Sequence, residues 1–176
     1  MRSHLWYGIA CMECVLFRHG IAVERDEWDG DELLRPLTPK GVEKTRDAVS
    51  GLMRLGLEPG YLWASPLARA FETAKIIRQL LCPRIELQAQ EALLPEAAPN
   101  KLLSLLASLP ADATVICVGH EPHLGETAGL MLFGKPVLGL SFKKAGACCL
   151  SFRESPKAGS AELRWWMGPS QLRNLR

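Results

Sequence analysis

Short apolar runs alternate along this chain with stretches of helical periodicity, and that alternation limits the fold more than any other feature. An unbroken apolar run of about five residues suits a strand covered on both faces, and such strands belong to mostly parallel sheets flanked by helices. Glu13-Cys14-Val15-Leu16-Phe17 and Thr114-Val115-Ile116-Cys117-Val118 are two runs of this kind. The expectation is an α/β layer fold with a mostly parallel sheet.

The remaining elements follow from their end signals. Thr38-Pro39 offers an N-cap with proline at the first helical position, Val42, Thr45, Val49, Leu52 and Met53 recur at helical spacing, and Gly56 stops the helix. Tyr61-Leu62-Trp63-Ala64 reads as a short strand leading into Ser65-Pro66, a second cap-and-proline start, with Phe71, Ala74, Ile77 and Leu81 on one helical face. Ile85 to Leu87 predicts another short strand, and Leu102, Leu103, Leu106 and Leu109 predict a helix ended by Pro110. The second buried run ends in Gly119-His120-Glu121-Pro122, and a helix follows as far as Phe133. Ala147 to Phe152 and Glu162 to Met167 read as closing strands, joined as a hairpin across Ser155 to Ser160.

The chain has 176 residues, 48% hydrophobic and 23% charged, which suits one domain with a full core. Residues 12–176 are expected to form it. Residues 1–11 fit nothing in the alternation, and Met12 stands directly before the first strand, so these residues are read as a leader and Met12 as the true start. A net charge of +2 is too small for a general nucleic-acid or membrane surface, and neither partner is expected. No apolar run reaches the roughly 18 residues of a membrane span. Leu5 to Cys11 is short for a secretion signal, so a cytoplasmic location is expected. Among the six cysteines, Cys14, Cys117, Cys148 and Cys149 lie in apolar runs and read as small core residues. Cys11 and Cys14 have C-x-x-C spacing, but no second pair follows, and metal or redox use is the weaker reading.

Ligands of open α/β sheets gather beyond the carboxyl ends of the strands. Three such ends carry unusual residues: Arg18, His19 and Gly20 at the first, Ser65 with Arg69 at the second, and His120 at the third. Helical side chains lean toward the N-terminus, so Arg69 can reach the place where free backbone N–H groups attract an anion. Two guanidiniums supply forked donors and fixed charge, which suits a phosphoryl group in transfer. A neutral imidazole among them can attack phosphorus, and His19 is read as this nucleophile. Gly20 is expected to let the backbone bend and the phosphate approach. His120 is expected to donate to phosphoryl oxygens in its charged form, so that the two histidines need opposite protonation states. Each residue alone has a bland reading, a structural histidine or a solvated arginine; their placement together at strand ends carries the argument. His4 and His123 lack that context and read as structural or surface residues, and Arg25, Arg35, Lys143 and Lys144 read as solvated charges.

Arg18-His19-Gly20, Ser65-Pro66-Leu67-Ala68-Arg69 with Glu72-Thr73-Ala74, Gly119-His120-Glu121-Pro122 and Leu37-Thr38-Pro39-Lys40-Gly41 together resemble the histidine phosphatase superfamily, also called phosphoglycerate mutase-like, over roughly residues 12–168. The resemblance implies a three-layer α/β/α sandwich and a metal-independent phosphatase without cofactor. His19 would form a covalent phosphohistidine, and Arg18, Arg69 and His120 would bind the phosphoryl group, with Gly20 and Ser65 beside it. Arg35-Pro36-Leu37-Thr38, Leu94-Pro95-Glu96 and Trp166-Met167-Gly168-Pro169 are most similar to SixA-type phosphohistidine phosphatases. The implied substrate is then phosphohistidine on a protein, and the enzyme is expected to be a monomer. Glu96 falls near the position of the family's general acid; Glu91, Glu24 and Asp26 are poorer candidates. A small phosphomonoester phosphatase and a non-catalytic phosphate-recognition module are the alternatives.

Overall fold

The computed structural model describes residues 5–6 and 9–175. His4 and the rest of 1–4, with 7–8, lie outside the described residues, so the reading of His4 does too. Strands β1 (Leu5–Trp6) and β2 (Ile9–Ala10) pair antiparallel as a small sheet of their own.

The chain then follows β3 (Met12–Arg18), α1 (Pro39–Met53), β4 (Tyr61–Ala64), α2 (Ala68–Leu81), β5 (Leu87–Ala89), α3 (Pro99–Leu106), β6 (Thr114–Gly119), α4 (His123–Phe133), β7 (Ala147–Phe152), β8 (Glu162–Met167) and α5 (Pro169–Arg173). The main sheet has six strands in the order β5-β4-β6-β3-β7-β8. The first four are mutually parallel; β7 and β8 add antiparallel at one edge as the expected hairpin. β3 and β6 sit centrally, with Leu16 opposite Cys117 on one side and Cys148 on the other.

Strand side chains alternate between faces, so each central strand feeds two cores. Cys14, Leu16, Val115 and Cys117 pack with Leu102, Leu106, Leu124 and Met131 of α3 and α4. Val15, Phe17, Ile116 and Val118 pack with Val49, Leu52, Ala70, Ile77 and Leu172 of α1, α2 and α5. This is the three-layer α/β/α sandwich. All six cysteines are buried free thiols, and burial raises the pKa of Cys148 well above the usual thiol range. No group of three or more potential metal ligands is placed to hold an ion among the described residues. No helix among them is long and apolar enough to cross a membrane.

Three boundaries differ from expectation. β5 lies at Leu87–Ala89 because Leu87 pairs with Leu62, while Ile85 is held in a turn by its bond to Cys82 O. α2 starts at Ala68 with Leu67 as N-cap: Ser65 N–H is bonded to Val118 O at the strand end, and its Oγ accepts from Leu67 N–H ahead of the helix. α3 ends at Leu106, ahead of Pro110, where Ala107 N–H closes the last turn on Leu103 O.

Candidate active site

Two adjacent parallel strands, β3 and β6, end side by side, and His19 N–H donates to Gly119 O at 3.0 Å. That pairing sets the rings of His19 and His120, 101 positions apart in sequence, with centroids 5.0 Å from each other and planes tilted by 55°. Arg69 comes from the first turn of α2 and is 4% exposed; the charges of Arg69 and Arg18 both act on both imidazoles. Thr73, one turn further along α2, ties that helix to the histidine turn. Its Oγ1 donates to Arg69 O at 2.7 Å and accepts from Gly20 N–H at 3.0 Å.

The rings are oriented before any ligand enters. His19 Nδ1 lies 2.7 Å from Gly20 O. A carbonyl only accepts, so the proton sits on Nδ1 and Nε2 keeps its lone pair. Burial pushes the His19 pKa down to about 3, the bond to Gly20 opposes this, and Arg69, Arg18 and Lys144 push it lower. His120 is pushed down to about 2 by burial, then by His19, Arg69, His123 and Arg18. Both rings are neutral at physiological pH. Among the described residues the charges that act on His120 are all positive, so the charged form expected of it as a donor would be stabilised by a bound anion.

Several buried polar atoms here have no partner: Arg18 Nε, Arg69 Nε, and both ring nitrogens of His120. Each such atom costs about 1–3 kcal/mol if left unsatisfied. Their concentration at one point, beside the free Nε2 of His19, describes a cradle for an oxyanion with a nucleophile in its wall. The arginines remain cationic although burial lowers both pKa values.

Protein acceptors fix the rest of each guanidinium. Arg18 Nη1 donates to Phe142 O at 2.6 Å. Arg69 Nη1 lies 3.3 Å from both Glu32 O and Glu32 Oε1. Glu32 also takes a forked contact from Arg35, Nε at 2.9 Å and Nη2 at 3.0 Å, and these cations hold its carboxyl down at about 2, the bond to Arg35 first. Arg35 is therefore no solvated charge; its side chain is 11% exposed. Arg25 is, at 80%, and Lys144 pairs with Glu24 at 3.2 Å. Lys143 is exposed as expected.

Other expected site residues take different roles. The hydrogen of Gly20 leaves room for packing: a Cβ there would stand 2.3 Å from Thr45 Oγ1 and 3.2 Å from Gly41 O. Its N–H is already used by Thr73, so the contribution of Gly20 to the site is its carbonyl. Ser65 is fully buried and its Oγ accepts from Leu67 N–H at 3.4 Å, a local turn contact that gives no support to substrate binding. Glu96 is exposed, and its charge acts on His123, whereas the charges acting on His19 are the cations Arg69, Arg18 and Lys144. His123 is fully buried, with Nε2 3.5 Å from Thr127 Oγ1, and is structural. Sequence reading missed Glu32, Phe142 and the bonding of Thr73. The Glu32-to-Arg35 spacing and the fixed order His120-Glu121 were the only local signals available.

The pattern of the histidine phosphatase superfamily (branch 1) matches residues 14–94. An uncharacterized protein of Picosynechococcus sp. is 40% identical over 140 residues, covering 77% of this chain and 82% of that one. Among solved structures, the protein histidine phosphatase SixA complexed with tungstate superposes with a TM-score of 0.80 at 23% identity, covering 92% of this chain and 99% of the other. A phosphoserine phosphatase mutant from Entamoeba histolytica in complex with phosphoserine gives 0.60 at 18%, covering 92% and 99%. A mycobacterial glucosyl-3-phosphoglycerate phosphatase gives 0.67 at 16%, covering 90% and 99%. Arg18, His19 and Arg69 fall inside the matched stretch and His120 joins them through the sheet; on sequence and fold together, the chain belongs to the histidine phosphatase superfamily.

Proposed function

We propose that this chain is a metal-independent phosphatase that works through a phosphohistidine on His19, with phosphohistidine of a protein as its preferred substrate. The observation that carries the reading is the set of unpartnered buried atoms on Arg18, Arg69 and His120 around the free Nε2 of His19. The tungstate-bound SixA structure supports it, because tungstate, like phosphate, is a tetrahedral oxyanion.

His19 Nε2 attacks phosphorus in line, a P–N bond forms, and the bond to the leaving group breaks. The Gly20 carbonyl holds the Nδ1 proton and stabilises the cationic ring that results. Arg18 and Arg69 balance the charge on the transferring oxygens. The incoming dianion favours protonation of His120, which then donates to an oxygen. Water next attacks the phosphoenzyme, the P–N bond breaks, and inorganic phosphate leaves with His19 restored to its neutral form.

The leaving group favours phosphohistidine. An alkoxide departs poorly without a protein acid, whereas an imidazole leaves readily once protonated. The charges that act on His19 are those of Arg69, Arg18 and Lys144, while the charge of Glu96, the first acid candidate from the sequence, acts on His123. The test offers a phosphohistidine protein and an aryl phosphate to wild type and His19→Ala. Expected are an acid-labile phosphoenzyme in wild type only and faster turnover of the phosphohistidine protein. Full activity in His19→Ala removes the nucleophile, and faster turnover of the aryl phosphate removes the substrate preference.

A further inference from the structure

Glu121 follows His120 directly and is half-buried at the start of α4, where a negative charge faces the positive helix end. Its carboxylate is held by backbone donors, while burial raises its pKa. Oε1 accepts from Phe142 N–H at 2.9 Å, and Gly125 N–H donates to the same carboxylate. Phe142 is the residue whose carbonyl accepts from Arg18 Nη1 at 2.6 Å. One residue of the loop before β7 is thus gripped on its N–H by Glu121 and on its C=O by Arg18. The two side chains carry opposite charges that act on each other.

The loop has few other ways to move. The Phe142 ring, 2% exposed, packs on Trp166 with centroids 4.2 Å apart. Gly125 lets the first turn of α4 close on the same loop, since a Cβ there would stand 2.1 Å from Leu140 O. The backbone of Ala145 donates to Arg18 O and His19 O, both at 3.1 Å, so the loop also carries the strand end that bears the nucleophile. The chain Glu121 to Phe142 to Arg18 sets which edge of the guanidinium is taken by protein and leaves Nε, buried and unpartnered, for the ligand.

We propose that Glu121 is a positioning residue for Arg18: by fixing Phe142 and supplying the opposing charge, it holds the guanidinium with Nε presented to the transferring phosphoryl group. The inference rests on the phosphoryl-binding role proposed above for Arg18. It predicts coupling, because a residue acting only through Arg18 has no effect once Arg18 is gone.

The test compares wild type, Glu121→Ala, Arg18→Ala and the double variant, with kcat/KM on an aryl phosphate and tungstate affinity by thermal shift. Glu121→Gln keeps an acceptor for Phe142 N–H. The expected result is a loss of about 10-fold to 100-fold in kcat/KM for Glu121→Ala, with weaker tungstate binding, because a small misplacement of a phosphoryl-binding group is costly. In the Arg18→Ala background the same change costs less than about twofold, and Glu121→Gln recovers much of the loss in the Arg18 protein. If Glu121 only caps α4, its replacement lowers Tm while the losses multiply in the double variant, and the proposal is overturned. Unchanged kcat/KM in Glu121→Ala overturns it equally; should that variant not fold, Glu121→Gln is compared in the two backgrounds: a partial loss of kcat/KM that is present with Arg18 and absent with Arg18→Ala supports the proposal, and a loss of the same size in both backgrounds, or none with Arg18 present, overturns it. Wild type that neither turns over the substrate nor binds tungstate defeats the phosphatase reading itself, a result distinct from an active wild type insensitive to residue 121.

Discussion

Replacing Gly20 with alanine separates two explanations of why that position has no side chain. The added Cβ would stand 2.3 Å from Thr45 Oγ1, about 1 Å inside the 3.4 Å at which ordinary contact begins. Thr45 is fully buried in α1, and its Oγ1 has no hydrogen-bond partner to lose, so the clash is steric. Gly41 O at 3.2 Å and Leu37 Cδ2 at 3.3 Å close the other directions. Overpacking of this kind costs roughly 1–3 kcal/mol, which in a domain of this size lowers Tm by roughly 2–12 °C. Activity should fall too, since the Gly20 carbonyl holds the His19 proton. Adding Thr45→Ala removes the offending oxygen and should restore Tm and turnover, whereas Thr45→Val keeps an atom in the same place and should not. Thermal melts and rates on all four proteins decide it. If glycine is there for phosphate approach, Gly20→Ala weakens substrate affinity at unchanged Tm and Thr45→Ala brings no recovery; that result refutes the packing argument.

Stability should also report the neutral histidine pair. Burial holds His19 at about 3 and His120 at about 2, against about 6.5 in the unfolded chain, so the unfolded state binds more protons as pH falls below that value. The stability present above about pH 6.5 is lost toward pH 3, on the order of 1 kcal/mol per pH unit for each ring, and His19→Asn should flatten the slope of Tm against pH. A wild-type Tm that stays constant over this window contradicts the assignment. Glu96→Gln should change turnover of an aryl phosphate by less than about twofold, where loss of a working general acid costs about 10²–10⁴-fold. Tungstate at about 100 times its dissociation constant should stabilise the protein by about 2.7 kcal/mol, and Arg69→Ala should abolish the rise in Tm; a rise that survives places the anion elsewhere.

Much of the fold was legible because its signals are local. Apolar runs such as Val15 to Phe17 are unbroken since each residue is covered from one face or the other, and the Thr38-Pro39 start works through a cap bond to Gly41 N–H three residues away. Failures came where a distant partner decides. Ser65-Pro66 carries the same local signal as Thr38-Pro39, yet Val118 claims the Ser65 N–H for the sheet, and the helix starts later. β5 is positioned by its pairing with β4 rather than by its own apolar residues.

In the site, sequence alone determined the chemical types: two arginines, two histidines and the strand ends that bear them, because each follows a local strand-to-loop transition. Tertiary structure decided their charge and their partners. Protonation of His19 and His120 depends on burial and on neighbours from three separate elements, and the hold on Arg18 depends on Glu121 and Phe142, 21 positions apart. Electrostatic energy and hydrogen-bond geometry are functions of distance through space, and a linear chain specifies those distances only after its strands have found their register.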